Sequence, residues 1–194
     1  MTEELPELAE GNAYYVALGG GRFRSTLHAQ GAWNAHEQHM APASGLLADA
    51  LERHQPRTGM RMARLSYEIL GLIPGGEFFI GTETLRPGKT IELVQAELVA
   101  AGRPAIRATA WRMATSDTGA VAAVEDATIP GPDECKPYDG AAVWPGGYIR
   151  SLEMRVAEGH RPGAGKVWLR TAHPLTARDD SSDLARLIGM VDTA

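Results

Sequence analysis

Four consecutive polar residues, His36, Glu37, Gln38 and His39, stand directly before a segment with helical patterning. A helix start offers free backbone N–H groups and a partial positive charge, and both favour a developing oxyanion. Gln38 and His39 have side chains able to orient a carbonyl or a water at that point. The competing reading is that the four residues cap the helix, face solvent or hydrogen-bond inside the core. The same string resembles a zinc-protease helix, but its two histidines are one residue too close and no third ligand is evident, so no metal is expected. Other chemistry has less support. Gly19-Gly20-Gly21-Arg22 lacks the Gly-Lys-Ser/Thr ending of a phosphate loop and reads as a turn. No Gly-x-Ser-x-Gly elbow exists, which disfavours an α/β-hydrolase mechanism. The single cysteine, Cys135, excludes an internal disulfide and reads as a loop thiol.

The elements that must position these residues follow from periodicity. Ala43, Leu46, Leu47, Ala50 and Leu51 repeat at i, i+3, i+4, i+7 and i+8, one apolar face of a helix. Pro42 suits its first turn and Pro56 blocks its continuation. The period then changes to two. Ala63, Leu65, Tyr67 and Ile69 alternate with polar residues, and further strands are expected over 77–85, 90–100 and 105–113. Arg86-Pro87-Gly88-Lys89 has the composition of a type II turn, and Gly102-Arg103 that of a tight turn. The order is one helix followed by an antiparallel meander.

From 129 to 147 prolines and glycines accumulate, which marks a connecting segment. Beyond it, Tyr148, Arg150, Leu152, Met154 and Val156 alternate as a strand, and 167–173 forms another. Ser181 or Ser182 can cap a second helix, with Leu184, Leu187, Ile188 and Val191 on its apolar face. The expected organisation is a first unit over 1–128, a linker over 129–147 and an incomplete second unit over 148–194. The two halves read as weak repeats of one plan, and the second stops after its helix. The competing reading is an ordinary C-terminal helix docked on its own domain.

Composition narrows the classes of function. The 194 residues carry a net charge of −5 and no basic stripe interleaved with aromatics, so nucleic acid is not an expected partner. The start, MTEELPELAEGN, is acidic and lacks a signal-peptide pattern, and no apolar run reaches the ~20 residues of a membrane span. A cytoplasmic protein without membrane insertion is expected.

Gly31-Ala32-Trp33, Glu37-Gln38-His39, the apolar helix, the strand from Arg64 to Leu70, Leu85-Arg86-Pro87-Gly88-Lys89 and the strand from Ile91 to Leu98 together resemble actinobacterial thioesterase-like proteins of the double-hotdog type. Val167-Trp168-Leu169-Arg170, with 184–192, resembles the start of their second unit. These proteins are similar to thioesterase II, in which two hotdog units are fused. The resemblance implies an α+β chain in which each unit wraps a curved antiparallel sheet around a central helix, here one complete unit plus a partial second. It also implies acyl-CoA as substrate, hydrolysis by activated water without a serine nucleophile or cofactor, and further association into a homo-oligomer.

In thioesterase II an Asp of the second unit, with a Gln and a Thr or Ser, activates the water. The resemblance places that Asp at Asp192 and its partners after Ala194. Many relatives begin the first helix with His-Gly-Gly, whereas this chain has His39-Met40-Ala41-Pro42. Met40 and Ala41 crowd the approach of a thioester carbonyl, and Pro42 has no N–H to offer. The expected site is therefore His39 and Asp192 as catalytic groups, with Trp33, Gln38, Met40 and Ala41 against the substrate. Trp33, Tyr67, Phe78 and Phe79 either line an acyl tunnel or belong to the core. Two other readings stand beside hydrolysis. The chain binds acyl-CoA or acyl chains, or serves in assembly, without turnover; or it is an enoyl-thioester hydratase or dehydratase using His39 with Glu37. Leu184, Leu187 and Ile188 would otherwise face water, which is a further reason to expect self-association.

Overall fold

A computed structural model describes residues 8–161, 163–178 and 180–193. Most of the acidic start and the last residue, Ala194, lie outside the described residues. Among the described residues nine strands and three α-helices follow in order. They are β1 (Tyr15–Gly19), β2 (Arg22–Ser25), α1 (Met40–Arg53), β3 (Met60–Ile69), β4 (Glu77–Arg86), β5 (Ile91–Ala100), β6 (Arg103–Ala114), β7 (Lys136–Tyr138), α2 (Gly147–Arg150), β8 (Leu152–Val156), β9 (Val167–Thr171) and α3 (Asp183–Val191). The first six strands form one sheet in the order β1-β2-β4-β5-β6-β3, and the last three form a second sheet, β7-β8-β9. Every strand pair in both sheets is antiparallel.

The helix is followed by four long strands as expected from the sequence, but only β4, β5 and β6 form a meander, because β3 pairs with β6 at the sheet edge and β2 takes the place beside β4. Leu46, Leu47 and Leu51 of α1 are buried with Val94, Ala96, Leu98, Ile106, Ala108 and Ala110 of β5 and β6. Ala96 pairs with Ala108 across the two strands, so a row of small residues meets the helix. Each of those leucines contributes about 1.5–3 kcal/mol by leaving water. At the C-terminal end of α1, Arg112 donates to the Leu51 and His54 carbonyls and pairs with Glu92 at 3.1 Å, both side chains being buried. A cation there faces the negative end of the helix dipole. The Gly19-Gly20-Gly21 segment is the tight connection of the β1–β2 hairpin, with φ of 86°, 59° and 78° that glycine adopts without strain.

Three local expectations are corrected. Gly88 does not take positive φ, so the 86–89 turn is not type II; the glycine is needed for space, since a Cβ would lie 2.1 Å from the Ile91 carbonyl oxygen. In β3 a register shift between Met62 and Arg64 turns Ala63 outward, and Met62 takes the packed position. Residues 148–150 form the short helix α2 rather than the start of a strand, which begins at Leu152. The stretch 129–147 also contributes β7 to the second sheet.

The helix α3 lies against α1. Gly45 and Gly189 meet at the crossing, where a Cβ on Gly45 would sit 2.7 Å from the Gly189 Cα. The Ser44 hydroxyl donates to the Ile188 carbonyl at 3.0 Å. The packed face of α3 is thus built on Ala185 and Gly189, while Leu187 and Val191 remain 57% and 64% exposed. Ser182 is its cap, accepting from the Ala185 N–H at 3.0 Å.

Candidate active site

His39 caps α1. Its backbone N–H is held by the Ala29 carbonyl at 2.8 Å, and its Nδ1 accepts the Ala41 N–H at 3.1 Å. With Nδ1 accepting, the neutral ring carries its proton on Nε2. Burial holds the His39 pKa below its ordinary value, and the nearby Asp192 charge pulls the other way. The cap also settles which first-turn donors are open. The Ala41 N–H is engaged and Pro42 has none, so the Met40 N–H is the one left for a ligand.

Asp192 terminates α3, and its Oδ2 lies 3.9 Å from His39 Nδ1. A residue from each unit therefore reaches the same point, brought there by the α1–α3 crossing. The carboxylate is half exposed, and no side-chain hydrogen bond orients it among the described residues.

Tyr148 and Thr193 complete the cluster, and sequence reasoning missed both. The fully buried Tyr148 ring lies 4.2 Å from the His39 ring, centroid to centroid. Its hydroxyl donates to the Gly189 carbonyl at 3.3 Å and sits 2.7 Å from the Thr193 hydroxyl. Burial pushes the phenol well above its usual range, so Tyr148 stays neutral. Gly146 and Gly147 place it: a Cβ on Gly147 would lie 1.6 Å from the Leu27 carbonyl oxygen, an approach open only to glycine. That Gly-Gly pair was the available signal, but the alternation of 148–156 masked it.

Gln38 is 3% exposed and donates from Nε2 to the Pro74 carbonyl at 2.8 Å, which leaves its Oε1 buried without a partner. Glu37 is turned away from His39. Its Oε1 accepts the Trp33 and Asn34 N–H groups at 3.1 and 3.0 Å and fastens a hairpin over 30–38. Trp33, at the tip of that hairpin, is 82% exposed and does not line a tunnel. Phe78 belongs to the core, and the half-buried Tyr67 donates to the Ser44 carbonyl. A cavity of about 270 Å³ borders Gly189 and Met190, lined also by Tyr14, Leu169, His173 and Leu175. Among the described residues no group of three or more His, Cys, Asp or Glu is placed to hold a metal, and no helix is long and apolar enough to cross a membrane.

Comparison with known proteins bears on this arrangement. Residues 29–113 match the acyl-CoA thioesterase N-terminal domain, a span that includes Gln38 and His39 but ends before Tyr148 and Asp192. No curated protein matches the chain. Among solved structures, a putative thioesterase from Novosphingobium aromaticivorans is 19% identical with a TM-score of 0.69, over 92% of this chain and 71% of the other. A hot dog protein of unknown function from Alicyclobacillus acidocaldarius is 16% identical with a TM-score of 0.70, over 94% and 68%. A putative thioesterase II from Thermobifida fusca is 20% identical with a TM-score of 0.61, over 94% and 70%. At such identities the likeness establishes the hotdog fold. The chain spans about two thirds of each of those structures, one full helix-and-sheet unit followed by part of a second. The chain thus has the hotdog fold, and its residues 29–113 are similar to the acyl-CoA thioesterase N-terminal domain.

Proposed function

We propose that the chain binds fatty acyl-CoA esters at the start of α1 and hydrolyses the thioester with activated water. The observation that carries this reading is the meeting of His39 and Asp192, 3.9 Å apart, at the junction of the two units. The Met40 N–H and the His39 Nε2–H polarise the thioester carbonyl and receive the negative charge that forms on its oxygen. Asp192 orients a water and takes its proton as the oxygen attacks the carbonyl carbon. The tetrahedral adduct then collapses, the C–S bond breaks and CoA leaves as the thiolate, which takes up the proton. The thioester is already activated, so no covalent enzyme intermediate is required.

The cavity beside Gly189 and Met190 receives the acyl tail. The exposed Leu187 and Val191 favour a homo-oligomer.

One observation favours a second reading. Asp192 has no side-chain hydrogen bond to orient it among the described residues, and a lone carboxylate held loosely accelerates little. In that reading the chain binds acyl-CoA without turnover. Release of free CoA thiol from a panel of acyl-CoAs separates the two. Hydrolysis predicts release above the buffer rate; binding shown by calorimetry with no release supports the non-catalytic reading.

A further inference from the structure

Tryptophan is usually buried, yet Trp33 is 82% exposed, and beside it Trp144 is 47% exposed. Their ring centroids are 5.3 Å apart at 63°, an edge-to-face pair. Such a pair leaves a flat ring face open to solvent, and that face is a stacking surface.

The setting is rigid on both sides. The hairpin carrying Trp33 is closed by the Gln30–Gln38 bridge, by the Gly31 N–H on the Glu37 carbonyl at 2.9 Å and by the Glu37 carboxylate on two tip N–H groups. The segment carrying Trp144 is pressed onto that hairpin. A Cβ on Gly146 would lie 2.4 Å from the Gly31 carbonyl oxygen, and the Tyr148 N–H bonds to the Gln30 carbonyl at 3.0 Å. Two segments distant in sequence are thus locked together so that two tryptophans meet at the surface. Core packing does not require this, because neither ring is buried.

The base of the same hairpin carries Gln38 and His39. Trp33 and His39 are six positions apart, so their Cα atoms are at most about 20 Å apart. The next helix adds a charge: Arg150 of α2 is exposed and makes no ion pair among the described residues.

We propose that the Trp33–Trp144 pair is the seat for the purine base at the nucleotide end of a CoA ester, with Arg150 facing its phosphates. The inference rests on the acyl-CoA reading above. It assigns to that reading the part of the ligand farthest from the thioester. An open indole face takes a purine by stacking without demanding a hydrogen-bond code, and a guanidinium six positions after Trp144 suits the negative phosphates.

The test compares two probes, CoA and pantetheine, which lacks the nucleotide. Binding of each to the full chain is followed by calorimetry for wild type, Trp33→Ala, Trp33→Phe and Arg150→Ala. The expected result is roughly ten-fold weaker CoA binding for Trp33→Ala with pantetheine unchanged. Trp33→Phe should retain most of the affinity, since it keeps a ring face. Arg150→Ala should weaken CoA alone and flatten its salt dependence. Equal weakening of both probes by Trp33→Ala overturns the assignment, as does no change in either. Loss of an oligomer in Trp33→Ala with CoA affinity intact would assign the pair to a contact between copies. Absent hydrolysis with nucleotide-dependent binding would refute turnover and leave this site standing. Absent CoA binding in wild type would end both.

Discussion

The strongest constraint at the scale of the residue is the hydrogen bond from the Ala41 N–H to His39 Nδ1. Burial opposes the charge, so the folded-state pKa lies below its ordinary value of 6.5 despite the nearby Asp192 carboxylate, and protonating that nitrogen would also break the cap. Folded protein then binds fewer protons than unfolded protein between those two values. The contribution is complete above pH ~6.5 and is lost as pH falls through the lowered folded value. His39→Ala should cost about 1 kcal/mol near neutral pH, as cap removal does. That difference, read by thermal unfolding, should shrink as the pH is lowered below about 6.5 and through the folded value; a constant difference would mean the ring does not cap through Nδ1. Tyr148 is the residue that holds His39 in place, by ring contact on one side and by its hydroxyl on Gly189 and Thr193 on the other. Tyr148→Phe keeps the ring contact and should lower turnover modestly, whereas Tyr148→Leu should lower it further and shift the pH profile attributed to His39. Equal effects would show that the ring contact has no part in positioning. His39 and Gln38 were visible in the sequence because a polar string before an apolar helix is a local pattern. Tyr148 was not, because its partners are contributed by a segment more than a hundred residues away and by a helix end.

The element that decides whether a site exists is the α1–α3 crossing. It is made of glycine and alanine, so the two backbones approach closely and Asp192 is carried to His39. The two glycines are not equivalent. A Cβ on Gly45 would lie 2.7 and 2.8 Å from the Gly189 Cα and the Ala185 carbonyl oxygen, atoms that cannot move aside. Gly45→Ala should therefore destabilise by about 1–3 kcal/mol in chemical denaturation and reduce any activity, by forcing α3 away. A Cβ on Gly189 meets nothing closer than Leu175 Cδ2 at 3.5 Å, so Gly189→Ala should be neutral or stabilising by up to about 1 kcal/mol from helix propensity alone. Equal losses from both would contradict this packing. The helices and long strands were legible, since their periods of 3.6 and 2 are set by what each face buries. The packed face of α3 was not. The large residues Leu187 and Val191 suggested one stripe, while contact with α1 selects the small residues Ala185 and Gly189. Size at a helix crossing is set by the partner, and the partner lies 144 residues earlier in the chain.

For the whole molecule, two unequal parts share one junction: a six-stranded sheet around α1, and a second part that holds a three-stranded sheet and the helix α3 packed on α1. The overall plan was readable because a repeated order of strand and helix survives in the sequence; the junction was not, because it depends on the tight contacts of Gly146 and Gly147 with residues 27–31. Leu187 and Val191 on the outer side of α3 lead us to expect a dimer or higher oligomer in sedimentation at micromolar concentration, and a monomer there would count against it. The central claim is that a working site spans the junction, His39 from one side and Asp192 from the other. The most direct measurement is the rate of CoA thiol release from a bound acyl-CoA, compared between wild type and Asp192→Asn. We predict release above buffer in wild type and a loss of about 10²-fold or more in the variant, as for removal of a positioned general base. Release that is unchanged in Asp192→Asn, or absent in wild type with substrate bound, would contradict it.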